Sequence, residues 1–164
     1  MSDVAVTGLS DLQALLDTLP AKVEANLLRA AMRKGANVIL KEARGNLAAS
    51  GSVDTGVLAK GLKVSTNRSG GTVTASVKAR GEHAYIANWI EYGVAAHGVK
   101  KGADRSKGTG QDGKLHPGFT ERPFLRPAMD TRAADALLAV GESLKERLAT
   151  KQGLDTQDIE VDIV

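Results

Sequence analysis

An α+β domain is the fold class this sequence predicts: a long amphipathic helix and a C-terminal helix packed on a small antiparallel β-sheet, with one long basic loop. Three observations carry that prediction. From Pro20 onward Val23, Leu27, Leu28, Ala31, Val38 and Ile39 recur at three- and four-residue steps, the period of a helix with one apolar stripe. The runs "GLKVSTN" and "GTVTASVKA" are β-branched and alternating, and "NRSGG" between them supplies the turn residues of a hairpin. After Pro127, Ala133, Leu137, Val140, Leu144 and Leu148 mark a second long helical stripe.

Taken in order, "SDLQALLDTLP" predicts a short helix from about Asp11, because Ser10 and Gln13 have the spacing of a capping box. Pro20 then falls in the first turn of the long helix. Running to about Leu47, that helix would be about 40 Å long at 1.5 Å per residue, more than a small sheet needs for cover. Gly35 lies in its apolar stripe, where it permits close packing. Lys22, Arg29, Arg33 and Arg44 form the opposite, basic face. "NLAASGSVDTG" breaks the helix before the hairpin. "HAYIANWIEYG" reads as one or two helical turns ended by Gly93. The 25 residues from Val94 to Gly118 are rich in Gly and Lys and show no periodicity; a loop of this length is functional or disordered. The third helix should end near Gln152 and Gly153, and "IEVDIV" alternates like a strand with one face to pair. Residues 1–151 are therefore expected to form a single domain, and 152–164 an acidic C-terminal tail with a strand-like end.

The totals narrow the function. A chain of 164 residues can bury a real core, yet only five side chains are Phe, Trp or Tyr, so that core must rest on aliphatic residues and alanine. A core so thin leaves room for stability from self-assembly. The absence of cysteine removes disulfides, thiolate catalysis and cysteine zinc sites. No apolar run reaches the length that spans a bilayer, and the N-terminus has no signal-like pattern, so a soluble, unexported product with no membrane partner is expected. The net charge of +3 is small for a nucleic-acid binder, but it is unevenly spread. Lys100, Lys101, Arg105, Lys107 and Lys114 sit in the long loop, whereas Asp155, Asp158, Glu160 and Asp162 gather in the tail. Such an arrangement suits complementary contacts between copies, or two solvated segments.

No catalytic constellation emerges. "GTGQDG", Gly108 to Gly113, fits GxGxxG, but Lys114, Leu115, His116 and Pro117 follow it instead of a helix, so it lacks the context of a dinucleotide loop. His83, His97 and His116 with Glu82 and Glu91 have no metal-ligand spacing, and no nucleophile elbow occurs. We therefore expect no enzyme, no cofactor and no metal. The basic helix face fits solvation, an acidic protein partner or phosphate contact. Sequence readout of nucleic acid would call for interleaved aromatics, which are missing there.

"TERPFLRPAMD" gathers Pro123, Pro127 and Phe124 in a chain otherwise poor in rings and prolines. Because a residue before proline is pushed out of the α region, Arg122 and Arg126 are expected to be extended until Pro127 starts the helix. Alternation then places Arg122, Phe124 and Arg126 on one side. Two readings stand: Phe124 and Leu125 staple the helix entry into the core, or the segment is a stiff strap that displays an aromatic between two guanidiniums at an interface.

In series, a helix ending in "EAR", then "VDTGVLAKGLKV", "AYIANWIEYG", a variable loop and "RPFLRPAMD" resemble the neck or tail-completion proteins of long-tailed bacteriophages. The resemblance runs from about Leu9 to Leu148. It places Asp54, Thr55, Gly56 and Leu58 in a turn entering the hairpin, Tyr85, Glu91, Tyr92 and Gly93 in a Tyr…Glu-aromatic-Gly element, and Pro123, Phe124, Leu125, Arg126, Pro127 and Ala128 in the strap. It implies a structural virion component of the head-tail connector, a homo-oligomeric ring of six copies, present in the host cytoplasm during assembly and in the viral neck or tail thereafter. The partners implied are further copies of the chain, neighbouring connector or stopper proteins, and tail-tube or tail-terminator proteins, with a passing contact to DNA in the channel left open. Lys100, Lys101, Arg105, Lys107, Lys114, Arg122 and Arg126 are the expected interface residues. The alternatives are a tail-terminator ring and a basic DNA-binding accessory protein. The length of the 94–118 loop and the acidic tail depart from the family pattern.

Overall fold

The computed structural model describes residues 6–51, 56–82, 84–98 and 115–162. Two long helices, α2 (Ala21–Ala49) and α5 (Leu125–Gln152), pack along each other. Around them lie α1 (Leu9–Asp17), the short α3 (Val57–Gly61), the hairpin β1 (Leu62–Ser69) and β2 (Thr72–Ala79), and α4 (Ala84–Tyr92). Two-residue strands β3 (His97–Gly98) and β4 (Leu115–His116) complete the order. The fold is α+β, as the sequence predicts, with the hairpin lying against α2 and α5 packing chiefly on α2.

The length of α2 follows from its serving two cores. Its C-terminal half contributes Leu40, Ala43 and Leu47 to a cluster with Leu62, Ala87, Ile90, Phe124 and Ala128. Its N-terminal half contributes Leu27 and Ala31 to a second cluster with Leu12, Leu16, Leu144 and Leu148. Between the two, Gly35 meets α5 so closely that a Cβ there would lie 2.6 Å from the Ala136 carbonyl oxygen. A side chain at this point would push the helices apart.

The hairpin pairs Leu62 with Ala79 and Val64 with Val77, and these four face the core while Lys63 and Lys78 face out. Ser69 pairs with Thr72, so the turn is Gly70-Gly71 alone, with φ of 55° and 84°, the positive pair that a tight two-residue hairpin requires. Of the turn before α3, Asp54 and Thr55 lie outside the described residues. Gly56 (φ 72°) caps α3, and Leu58 packs against the first cluster.

Four local expectations are corrected. The Ser10–Gln13 capping box does not form: α1 begins at Leu9 behind Gly8, no side chain caps it, and Gln13 Nε2 donates to Asp17 Oδ1 at 2.7 Å. Gly8 takes that place because the chain there runs against the C-terminal segment, where a Cβ would strike the Glu160 carbonyl. The 94–118 segment is not irregular at its base. Val94 and Phe119 exchange both backbone hydrogen bonds, and His97 and Gly98 pair with His116 and Leu115. Arg126 is helical, since α5 starts at Leu125, two residues before Pro127. Finally, residues 153–162 form no strand. Their alternation is nonetheless used: Leu154, Ile159 and Val161 pack on the second cluster, and the Asp162 carbonyl accepts the Thr7 N–H at 2.9 Å.

Candidate functional site

The first cluster brings α4 against the start of α5, and one residue organises the junction. Glu91 is 3% exposed. Its Oε2 accepts the backbone N–H groups of Phe124 at 2.8 Å and Leu125 at 2.9 Å, and its Oε1 accepts that of Arg126 at 3.0 Å. The first N–H groups of a helix have no partner inside it, and here a carboxylate from another helix supplies one to three of them at the positive end of the helix dipole. Glu91 therefore caps α5 in place of a local cap residue, and this starts the helix ahead of Pro127. Burial alone would push the Glu91 carboxyl up; the three backbone N–H donors and the Arg126 guanidinium outweigh it and hold the group below its ordinary value.

Arg126 closes the arrangement. Its Nε donates to Glu91 Oε1 at 3.2 Å, and its Nη2 donates to the Glu91 carbonyl at 2.7 Å and to Glu121 Oε2 at 3.0 Å. The guanidinium carbon lies 5.1 Å from the centre of the Tyr92 ring. Gly93, at φ 71°, then turns the chain where a Cβ would meet the Glu121 nitrogen at 2.9 Å. Arg122 ties down two helix ends, its backbone N–H donating to the Ile90 carbonyl at 2.8 Å and its Nη1 to the Ser50 carbonyl at 3.1 Å. Phe124 is fully buried, so the staple reading of this stretch holds for the ring.

The outward side of α4 is the unexpected feature. Ala87, Ile90 and Glu91 face inward, while Tyr85, Trp89 and Tyr92 form a stripe on the other side, Tyr92 being 66% exposed. Tyr85 and Trp89 meet edge to face with ring centres 4.9 Å apart. Phe119 is also exposed, so four of the five Phe, Trp and Tyr side chains of the chain lie outside the core. The spacing of 85, 89 and 92 could have revealed this stripe in the sequence, where the segment reads only as apolar.

The remaining expected residues divide. Lys100, Lys101, Arg105, Lys107, Lys114 and His83 lie outside the described residues. Pro123 is exposed and Pro127 half-buried. On the basic face of α2, Arg44 is committed to the carbonyls of Ala59 and Leu62, at 3.1 and 2.8 Å, and so fastens α2 to α3 and β1. His97 and His116 stack at 5.0 Å, and the His116 Nδ1 accepts the Gly118 N–H; their contact belongs to the β3–β4 pairing, with Glu91 elsewhere. Among the described residues no group of three or more His, Cys, Asp and Glu could hold a metal ion. No described helix is long and apolar enough to cross a membrane.

Comparison with known proteins adds one finding. Residues 10–93, just over half of the chain, match the HK97-gp10-like family model, described as "Bacteriophage HK97-gp10, putative tail-component". No curated protein and no solved structure matches. The match runs from α1 through the capping glutamate to the glycine that ends α4, so it takes in the α4 side of the junction and the aromatic stripe while α5 lies beyond it, and the chain belongs to this family of bacteriophage tail components.

Proposed function

We propose that the chain is a non-enzymatic, ring-forming subunit of the phage neck, a tail-completion or head-tail joining protein that acts by binding copies of itself and the adjoining tail and connector proteins. The observation that carries this reading is the outward stripe Tyr85, Trp89 and Tyr92. Three large rings on the outer side of a helix are costly to leave in water, and α4 has a protein core on its other side only. Tyr, Trp and Arg are the side chains that dominate protein interfaces, and Arg126 lies over Tyr92 at the edge of the stripe. The Glu91 clamp holds that surface in one geometry, as every subunit of a closed ring must present it. Six copies and a seat between head and tail are the arrangement we propose, on the strength of the family resemblance. The basic 94–118 loop, whose base is fixed by the Val94–Phe119 and His97–His116 pairs, is proposed to reach a neighbouring subunit.

The test uses a phage that lacks this chain and accumulates unjoined heads and tails. Added wild-type protein should restore joined particles, whereas Trp89→Ala, folded by circular dichroism and melting like the wild type, should not. Normal joining by Trp89→Ala refutes the assignment of this face to assembly.

A further inference from the structure

A second surface lies away from the aromatic stripe. Asn26, Arg29, Arg33, Lys34 and Asn37 of α2 and Arg147 of α5 line a recess of about 330 Å³. Four of these six carry positive charge, and no carboxylate lines the space. The partners the cations do have are neutral: Arg33 Nη2 donates to Thr66 Oγ1 at 3.3 Å, and Arg147 Nε to Ser143 Oγ at 3.4 Å. The Nε of Arg29 is buried and has no hydrogen-bond partner among the described residues. Cations that line an open recess without a carboxylate among them leave charge for an anionic ligand to meet.

The same chain holds a matching acidic surface in fixed form. Asp155, Asp158 and Glu160 are exposed, while Ile159 and Val161 between and beside them pack into the second core. The backbone there is tied down by Lys145 Nζ, which donates to the Ile159 carbonyl at 2.5 Å, and by the Thr7–Asp162 hydrogen bond. Asp155 Oδ1 accepts the Gln157 N–H at 3.0 Å. Among the described residues, no ion pair joins these three carboxylates to the cations of the recess. The two surfaces carry opposite charge on ordered backbone, α2 and α5 on one side and the tied-down 155–162 segment on the other.

We infer that the recess lined by Arg29, Arg33, Lys34 and Arg147 receives the acidic ridge Asp155–Glu160 of a second copy of this chain. Two different patches then meet at each contact, the heterologous geometry that generates a ring when the rotation closes. Guanidinium forks and asparagine amides suit carboxylates, and the backbone on both sides is ordered beforehand, so docking orders side chains alone. A single recess of this size, with no aromatic side chain for stacking, fits one or two carboxylates better than a nucleic-acid strand. The inference rests on the ring reading and specifies one of its contacts.

The experiment is a charge exchange in the full chain, read by native mass spectrometry and light scattering with thermal melts as the fold control. Arg33, Lys34, Asp158 and Glu160 are all exposed, so Arg33→Glu with Lys34→Glu, and separately Asp158→Lys with Glu160→Lys, should keep the wild-type melt. Each variant alone should raise the concentration needed for assembly by at least about tenfold. An equimolar mixture should assemble again, because each variant's ridge then carries the charge opposite to the other's recess. If either variant assembles like the wild type, or the mixture stays apart, the inference is wrong while the ring reading stands. A wild-type protein that never assembles overturns the ring reading, and this contact with it. Loss of salt-sensitive duplex binding in the recess variant, with assembly unchanged, would instead make the recess a nucleic-acid surface.

Discussion

Replacing Glu91 removes the acceptor on which the start of α5 depends, and the structure fixes the size of the effect. In Glu91→Ala three backbone N–H groups and one guanidinium N–H lose bonds of 2.8–3.2 Å at a site that water reaches poorly. Loss of a helix cap costs about 0.5–2 kcal/mol, and each buried donor left unmet costs about 1–3 kcal/mol. Leu125 and Arg126 are less buried than Phe124, so water offsets part of that sum, and about 3–5 kcal/mol is expected. For a chain of this size that corresponds to a fall in Tm of roughly 6–20 °C. Glu91→Gln should recover little, because its amide would place an NH2 against the donors where an oxygen now stands. The pH dependence adds a signature. A carboxyl whose folded pKa lies below its unfolded value, near 4.5, contributes stability that is fully present above that value and is lost as pH falls through the folded pKa. The gap in Tm between wild type and Glu91→Gln should therefore be constant from neutral pH down to about 5 and narrow below that. Calorimetry across that range is the assay. A Glu91→Gln protein that melts within a degree of the wild type at neutral pH, or a gap that ignores acid, would refute the cap.

Other perturbations separate core from surface. Phe124→Ala should cost about 3–5 kcal/mol, as for a truncated buried ring, whereas Arg126→Ala should fold and fail in assembly; normal head-tail joining by Arg126→Ala would leave this stretch a connector only. Gly35→Ala should lower Tm, because overpacking costs about 1–3 kcal/mol and its Cβ would lie 2.6 Å from backbone. Gly45→Ala, with nothing within 4 Å, should raise stability by about 0.5–1 kcal/mol, so a gain at both positions would contradict the close α2–α5 contact. Joining Gly98 to Leu115 through Asn-Gly, in place of residues 99–114, should leave Tm near native and impair joining; a variant that joins as well as its parent would show that the loop carries no function.

Periodicity was legible wherever packing and local pattern agree. The stripes of α2 and α5, the hairpin and the stop at Gly153 could all be read, because each depends on residues a few positions apart. The errors arose where partners are distant. A sequence separation of 33 between Glu91 and Phe124 hides the cap, so the pre-proline rule places Arg126 in extended backbone when a carboxylate on α4 makes it helical. Likewise Ser10 and Gln13 have the spacing of a capping box, but the C-terminal segment decides where α1 begins. Leu137 sits on the apolar stripe of α5 yet is exposed, because it borders an open apolar groove where α5 meets α2, lined also by Met32, Met129 and Ala133. Of the site, the Glu-aromatic-Gly residues were visible as a motif, while the reason they accompany "PFLRPA" is a contact in space. The recess gave a partial signal through Arg29 and Arg33, with Lys34 beside them on the same helix; Arg147 joins it only because α5 packs against α2.

The central claim, a subunit that functions by closing into a ring, is tested most directly by the mass and symmetry of the purified full-length protein, measured alone and with tail-tube or connector protein present. A discrete six-copy particle with sixfold symmetry in electron micrographs is the predicted result; a strict monomer under both conditions would contradict it.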